Sequence, residues 1–97
     1  MIIEKETHPE FYASVNADVD QVAEQLTTLS LKAYKYVKIE AAAGNAGTVY
    51  VGHNSGVSAA NGWPLIAGEN VEIPVDDPSK VWVIGSADNQ VVKWLVA

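Results

Sequence analysis

The chain has no cysteine and no arginine, sets six lysines against twelve acidic residues, and contains no long apolar run. Without cysteine there is no disulfide framework, no cysteine-ligated zinc and no thiol nucleophile, so stability has to come from packing and subunit contacts. Without arginine, and at a net charge of −6, it lacks the clustered cations that neutralise phosphates and the side chain that most often reads bases. A nucleic-acid partner is therefore not expected. Its apolar stretches fall short of the ~20 residues of a membrane span, and Met1-Ile2-Ile3-Glu4-Lys5-Glu6 lacks the apolar core of a secretion signal. No membrane partner and synthesis in the cytoplasm are the expectations.

What is present suits one folded unit. Ninety-seven residues, 48% of them apolar, are enough for one modest core and too few for two. Met1 to Glu10 mixes charge with Pro9 and shows no sustained period, which reads as an extended arm. Phe11-Tyr12-Ala13-Ser14-Val15 is β-prone and suits a strand added to a sheet edge. The division expected is an arm over residues 1–15 and a folded domain over residues 16–97.

Asn16 to Leu26 fits two readings. Val19, Val22, Ala23 and Leu26 recur at helical spacing behind a plausible Asn16 cap, predicting one short helix. Val15, Ala17 and Val19 also alternate with polar residues, as a strand would.

Beyond Leu31 period two dominates. Val37, Ile39 and Ala41 face a core while Lys38 and Glu40 face water, and the Ala43-Gly44-Asn45-Ala46-Gly47 turn predicts a hairpin into Thr48-Val49-Tyr50-Val51-Gly52. Trp63-Pro64-Leu65 follows an Asn-Gly pair. Val71, Ile73 and Val75 then alternate with Glu72 and Pro74, and because Pro74 cannot donate to a ladder the strand is expected to lie at an edge or carry a bulge there. Asp76-Asp77-Pro78-Ser79 has turn chemistry, and Val81 to Ile84 and Val91 to Val96 are apolar enough for central strands. Short strands with turn signals at this spacing predict an all-β fold: an antiparallel β-sandwich of jelly-roll type, with an open barrel as the rival.

Residues with chemistry are scattered. His8 and His53 have no cysteine and no second histidine at ligand spacing, and Ser55, Ser58 and Ser79 lack a nucleophile elbow. Glu69, Glu72, Asp76 and Asp77 match no calcium loop and read as solvated turn carboxylates. Gly44, Gly47 and Gly52 open no phosphate-binding helix. No metal and no cofactor are expected. Among the aromatics, Trp63 is the candidate exposed recognition residue because it sits in a turn, whereas Trp82 and Trp94 read as packing residues. Ile2, Ile3, Phe11 and Tyr12 are the candidate contacts to another subunit or surface, because apolar residues in a charged arm are best explained by docking.

The run Gly47-Thr48-Val49-Tyr50-Val51-Gly52, then Gly56-Val57-Ser58, Asn61-Gly62-Trp63-Pro64-Leu65, Gly68-Glu69-Asn70-Val71 and Val75-Asp76-Asp77-Pro78-Ser79-Lys80-Val81-Trp82-Val83-Ile84-Gly85, resembles small virion proteins of tailed bacteriophages. It is similar to head decoration, or cement, proteins, and to modules of head fibres and tail appendages, over roughly Leu26 to Ala97. The resemblance implies a non-enzymatic protein that sits on the outer surface of a capsid, with the major capsid protein as partner. It also implies a homo-oligomer, dimer or trimer, that bridges capsomers and is made in the host cytoplasm. The alternative it leaves is a receptor- or carbohydrate-binding module of a phage tail or fibre.

Overall fold

A computed structural model describes residues 12–97 of the chain. The strands are β1 (Tyr12–Val19), β2 (Glu24–Gln25), β3 (Val37–Ala41), β4 (Val49–Gly52), β5 (Trp63–Leu65), β6 (Asn70–Ile73), β7 (Trp82–Gly85) and β8 (Gln90–Val96), with one 3₁₀ turn at Pro78–Lys80. They form two four-stranded sheets, β1-β8-β3-β6 and β2-β7-β4-β5. Strand 4 pairs with 5, 3 with 6, 2 with 7 and 1 with 8, all antiparallel, and successive pairs alternate between the sheets. That is one long hairpin rolled up on itself; the β3–β8 and β4–β7 pairings close each sheet. The all-β sandwich expected from the sequence is present, and its strand order is that of a jelly roll.

Side-chain alternation explains why the sheets face each other. Val37, Ile39 and Ala41 of β3, Val92, Trp94 and Val96 of β8, and Val49, Val51 and Val83 of the opposite sheet are all buried. Their intervening neighbours, such as Lys38, Glu40, Tyr50 and Ile84, are partly exposed. β-Branched residues dominate this interior, where they pack well on a pleated surface, and each fully buried valine or isoleucine contributes about 1.5–3 kcal/mol. β7 and β8 lie centrally, as expected of the two most apolar segments. β6 lies at an edge and ends at Ile73, just before Pro74. Pro64 is likewise accommodated in an edge strand, β5.

Two expectations need correction. β3 and β4 do not form a hairpin: they lie in opposite sheets. The loop between them is drawn over the start of β8, where Asn45 exchanges hydrogen bonds with the Val91 backbone (2.9 and 2.8 Å) and the Gly47 N–H donates to Gln90 Oε1 (2.8 Å). Thr48 and Ser86 then tie it to the end of β7. The short helix is also absent from residues 16–26, which supply the end of β1 and all of β2. Val19 ends β1 and Leu26 directly follows β2 of the opposite sheet; both are buried while Val22 between them is 74% exposed, so burial between the sheets overrides the helical spacing. Tyr12 to Val15, assigned to the arm by sequence, form the first half of β1; the rest of that arm, residues 1–11, lies outside the described residues.

Candidate recognition site at the β5–β6 margin

The sandwich has two margins, one formed by edge strands β1 and β2 and the other by β5 and β6. The turn that carries the chain from β5 to β6 spans Ile66 to Glu69, with Gly68 at φ 88, a conformation that suits glycine. Glu69 N–H donates to Ile66 O (2.9 Å), and the Glu69 carboxylate accepts from Ile66 N–H (3.0 Å). Gly68 and Glu69 are further bonded to the Ala41 backbone, so this corner is fixed to the end of β3.

Trp63 is paired in register with Val51, which puts it on the inward side of β5 at the very start of the strand. It stays 64% exposed there. Beside it opens a cavity of about 390 Å³, whose apolar wall comes from Val51 and Val81 on one side and Val71, Ile73 and Val75 on the other. His53, Asn61 and Lys80 supply its polar groups. Trp63 also lines a second concavity of about 470 Å³, together with Pro64, Leu65, Glu69 and Asn70.

Each polar group is placed by its own local structure. Asn61 closes the loop after β4: its Oδ1 accepts from Ser58 N–H (2.8 Å) and its Nδ2 donates to Gly56 O (3.1 Å). Lys80 ends the 3₁₀ turn, which Asp77 caps by accepting from Ser79 N–H at 2.9 Å while Pro78 occupies the first position. Its ammonium lies 2.8 Å from Asp76, which holds the Asp76 carboxyl below and the Lys80 ammonium above their usual ranges. His53 is exposed, with Nε2 3.2 Å from the Asn54 amide. These groups are suited to hydrogen bonding around an apolar face. Among the described residues, no three His, Asp or Glu side chains are grouped to hold a metal ion.

No protein-family model, curated protein or solved structure matches this chain.

The opposite margin holds the remaining sequence candidates. Tyr12, 37% exposed, lies with its ring 5.6 Å from that of Trp94 at a 36° tilt. Trp94 is buried and its indole N–H donates to Asn16 Oδ1 (3.2 Å), while Asn16 Nδ2 donates to Leu26 O (2.7 Å). One asparagine thus joins β1 to the segment after β2. Val15 is 55% exposed. Ile2, Ile3 and Phe11 lie outside the described residues. Trp82, half-buried, faces outward on the other sheet in register with Gly52. Val71 and Ile73 of β6, with Val75 and Lys80, are not site candidates in the sequence, because only folding brings them to Trp63; the edge signal of Pro74 is the pointer to that margin.

Proposed function

We propose that this chain is a non-enzymatic virion structural protein, a jelly-roll module that binds the outer surface of a phage capsid and stabilises it. The observation that carries this reading is β1. It is an eight-residue strand at the margin of its sheet, with Tyr12 and Val15 exposed. An edge of this kind accepts a strand from another chain through main-chain hydrogen bonds, and the sequence before it offers the apolar residues Ile2, Ile3 and Phe11 as candidate anchors. The sequence resemblance points the same way. The rest of the molecule supplies stiffness, since two apolar faces of β-branched residues packed together deform little.

In this reading the partner is the major capsid protein, and the module acts as a dimer or trimer on the virion surface. Many copies on one symmetric shell gain avidity from repeated geometry even where each contact is weak. Co-sedimentation with purified capsids tests it, comparing the full chain with a variant lacking Met1 to Glu10. Saturable binding at a fixed copy number, lost or sharply reduced in the shortened chain, is the expected result. Undiminished binding by the shortened chain overturns the role of the arm, and no binding by the full chain overturns the reading.

A further inference from the structure

We propose that the Trp63 cleft is a binding site for a neutral oligosaccharide, whose rings lie across the indole and reach into the two concavities that it lines. The proposal does not depend on capsid binding: it concerns the opposite margin of the sandwich, and β1 and β6 are the two outermost strands of their sheet. A module held by β1 leaves Trp63 facing away from its support.

The chemistry follows from what surrounds the indole. A pyranose ring presents a face of C–H groups and a rim of hydroxyls, so it is matched by a flat aromatic surface ringed with hydrogen-bonding groups. Trp63 supplies such a surface: it is 64% exposed and lines two concavities, of about 390 and 470 Å³. Each lies within the range of about 300–1,000 Å³ typical of small-molecule sites. Around the first stand Asn61, His53 and Lys80, and around the second Glu69 and Asn70. Asn61 is held rigidly through one N–H and its oxygen, leaving a second amide N–H and a second lone pair for a hydroxyl. Lys80 spends one of its three N–H donors on Asp76.

The same contacts set the ligand's charge. Asp76, 2.8 Å away, cancels the Lys80 ammonium, and the Glu69 carboxylate is engaged by a backbone N–H and faces no cation in its concavity. On a chain of net charge −6, nothing here selects an anionic sugar. A purely apolar partner is disfavoured as well, because it would cover these polar groups without replacing their water. Two concavities that share one indole imply a ligand of at least two rings.

The full chain is applied to an array of neutral hexose and N-acetylhexosamine oligosaccharides of increasing length, with sialylated and sulfated glycans as charged controls; any hit is titrated calorimetrically. The expected result is binding to a neutral glycan that strengthens about tenfold or more from one ring to three, each tenfold being a 1.4 kcal/mol step. It should be insensitive to salt between about 0.05 and 0.5 M. Trp63→Ala should abolish it with an unchanged melting temperature, and Trp63→Phe should retain part of it. The proposal is overturned if no neutral glycan binds, if binding is confined to charged glycans and fades with salt, or if Trp63→Ala binds as the native chain does. It is equally overturned if sedimentation shows that Trp63 instead mediates self-association.

Discussion

Val57 fills the space that a side chain on Gly52 would need. A Cβ at Gly52 would lie 2.5 Å from Val57 Cγ2, and one at Gly62 would lie 2.9 Å from the same methyl and 2.7 Å from Tyr50 Cβ. The loop between β4 and β5 thus folds over its own sheet and is pinned by one buried valine seated on two glycines. Because this loop carries His53 and Asn61, the pin also positions the polar side of the Trp63 cleft.

Gly52→Ala is therefore expected to destabilise the fold by about 1–3 kcal/mol through overpacking. Truncating the opposing side chain as well, in Gly52→Ala/Val57→Ala, should cost less than the sum of the two single changes by about 0.5 kcal/mol or more. Urea denaturation of the four chains measures this coupling directly, and strict additivity would mean that the loop has moved off the sheet.

Asn16 is the second point where one side chain joins separate elements. Replacing it with alanine removes the acceptor of the buried Trp94 indole N–H and the donor to Leu26 O. Each orphaned group costs about 1–3 kcal/mol if water does not reach it. The strand also carries one extra residue between Asn16 and Val19 relative to β8, a bulge that begins at this asparagine. Thermal unfolding of Asn16→Ala should show a clear loss of stability together with a changed near-ultraviolet signal from Trp94.

Glu24 has its carboxyl pushed above its ordinary value of 4.5, by burial first and then by the Asp20 and Asp18 charges. The folded state therefore holds this proton more tightly than the unfolded chain does, and stability falls as pH rises from 4.5 through the raised value. Glu24→Gln should melt higher than the native chain near neutral pH and at the same temperature at about pH 3.5, where both states are protonated. Melting curves at the two pH values decide it.

Asp77 behaves in the opposite sense. Burial pushes its carboxyl up, but donors from the Ser79 backbone, the Ser79 hydroxyl and the Ser30 hydroxyl together outweigh it and hold it below 3.8. Its contribution is present above 3.8 and is lost as pH falls through the lowered folded value. Asp77→Ala should cost about 0.5–2 kcal/mol near neutral pH, as loss of a cap does. That deficit should shrink steadily in acid, which a pH series of unfolding curves would reveal.

Period two made β3, β4, β6, β7 and β8 legible in the sequence, because each turns one set of alternate residues inward, only partly buried in β6, and the other outward. Edge and centre were legible too, through Pro74 and through the apolar content of Val81 to Ile84 and Val91 to Val96. Pairing was not. The glycine-rich turn before Val49 says that the chain bends, while the contacts that decide where it goes, Asn45 to Val91 and Gly47 to Gln90, come from more than 40 residues away. Val19 and Leu26 misled for a related reason: two buried residues seven apart fit a helix as well as a strand that leaves one sheet for the other. The exposure of Trp63 followed from its place between Gly62 and Pro64, but the cleft beside it is made by Val71, Ile73, Val75 and Lys80, which only the rolled topology brings there.

Docking through the β1 margin is tested most directly by imaging purified phage particles with and without this protein. The account predicts added density of single-domain size on the outside of the capsid, at symmetric positions, with β1 against the shell and Trp63 pointing outward. Particles identical in both preparations, or density that meets the shell through the β5–β6 margin, would contradict it.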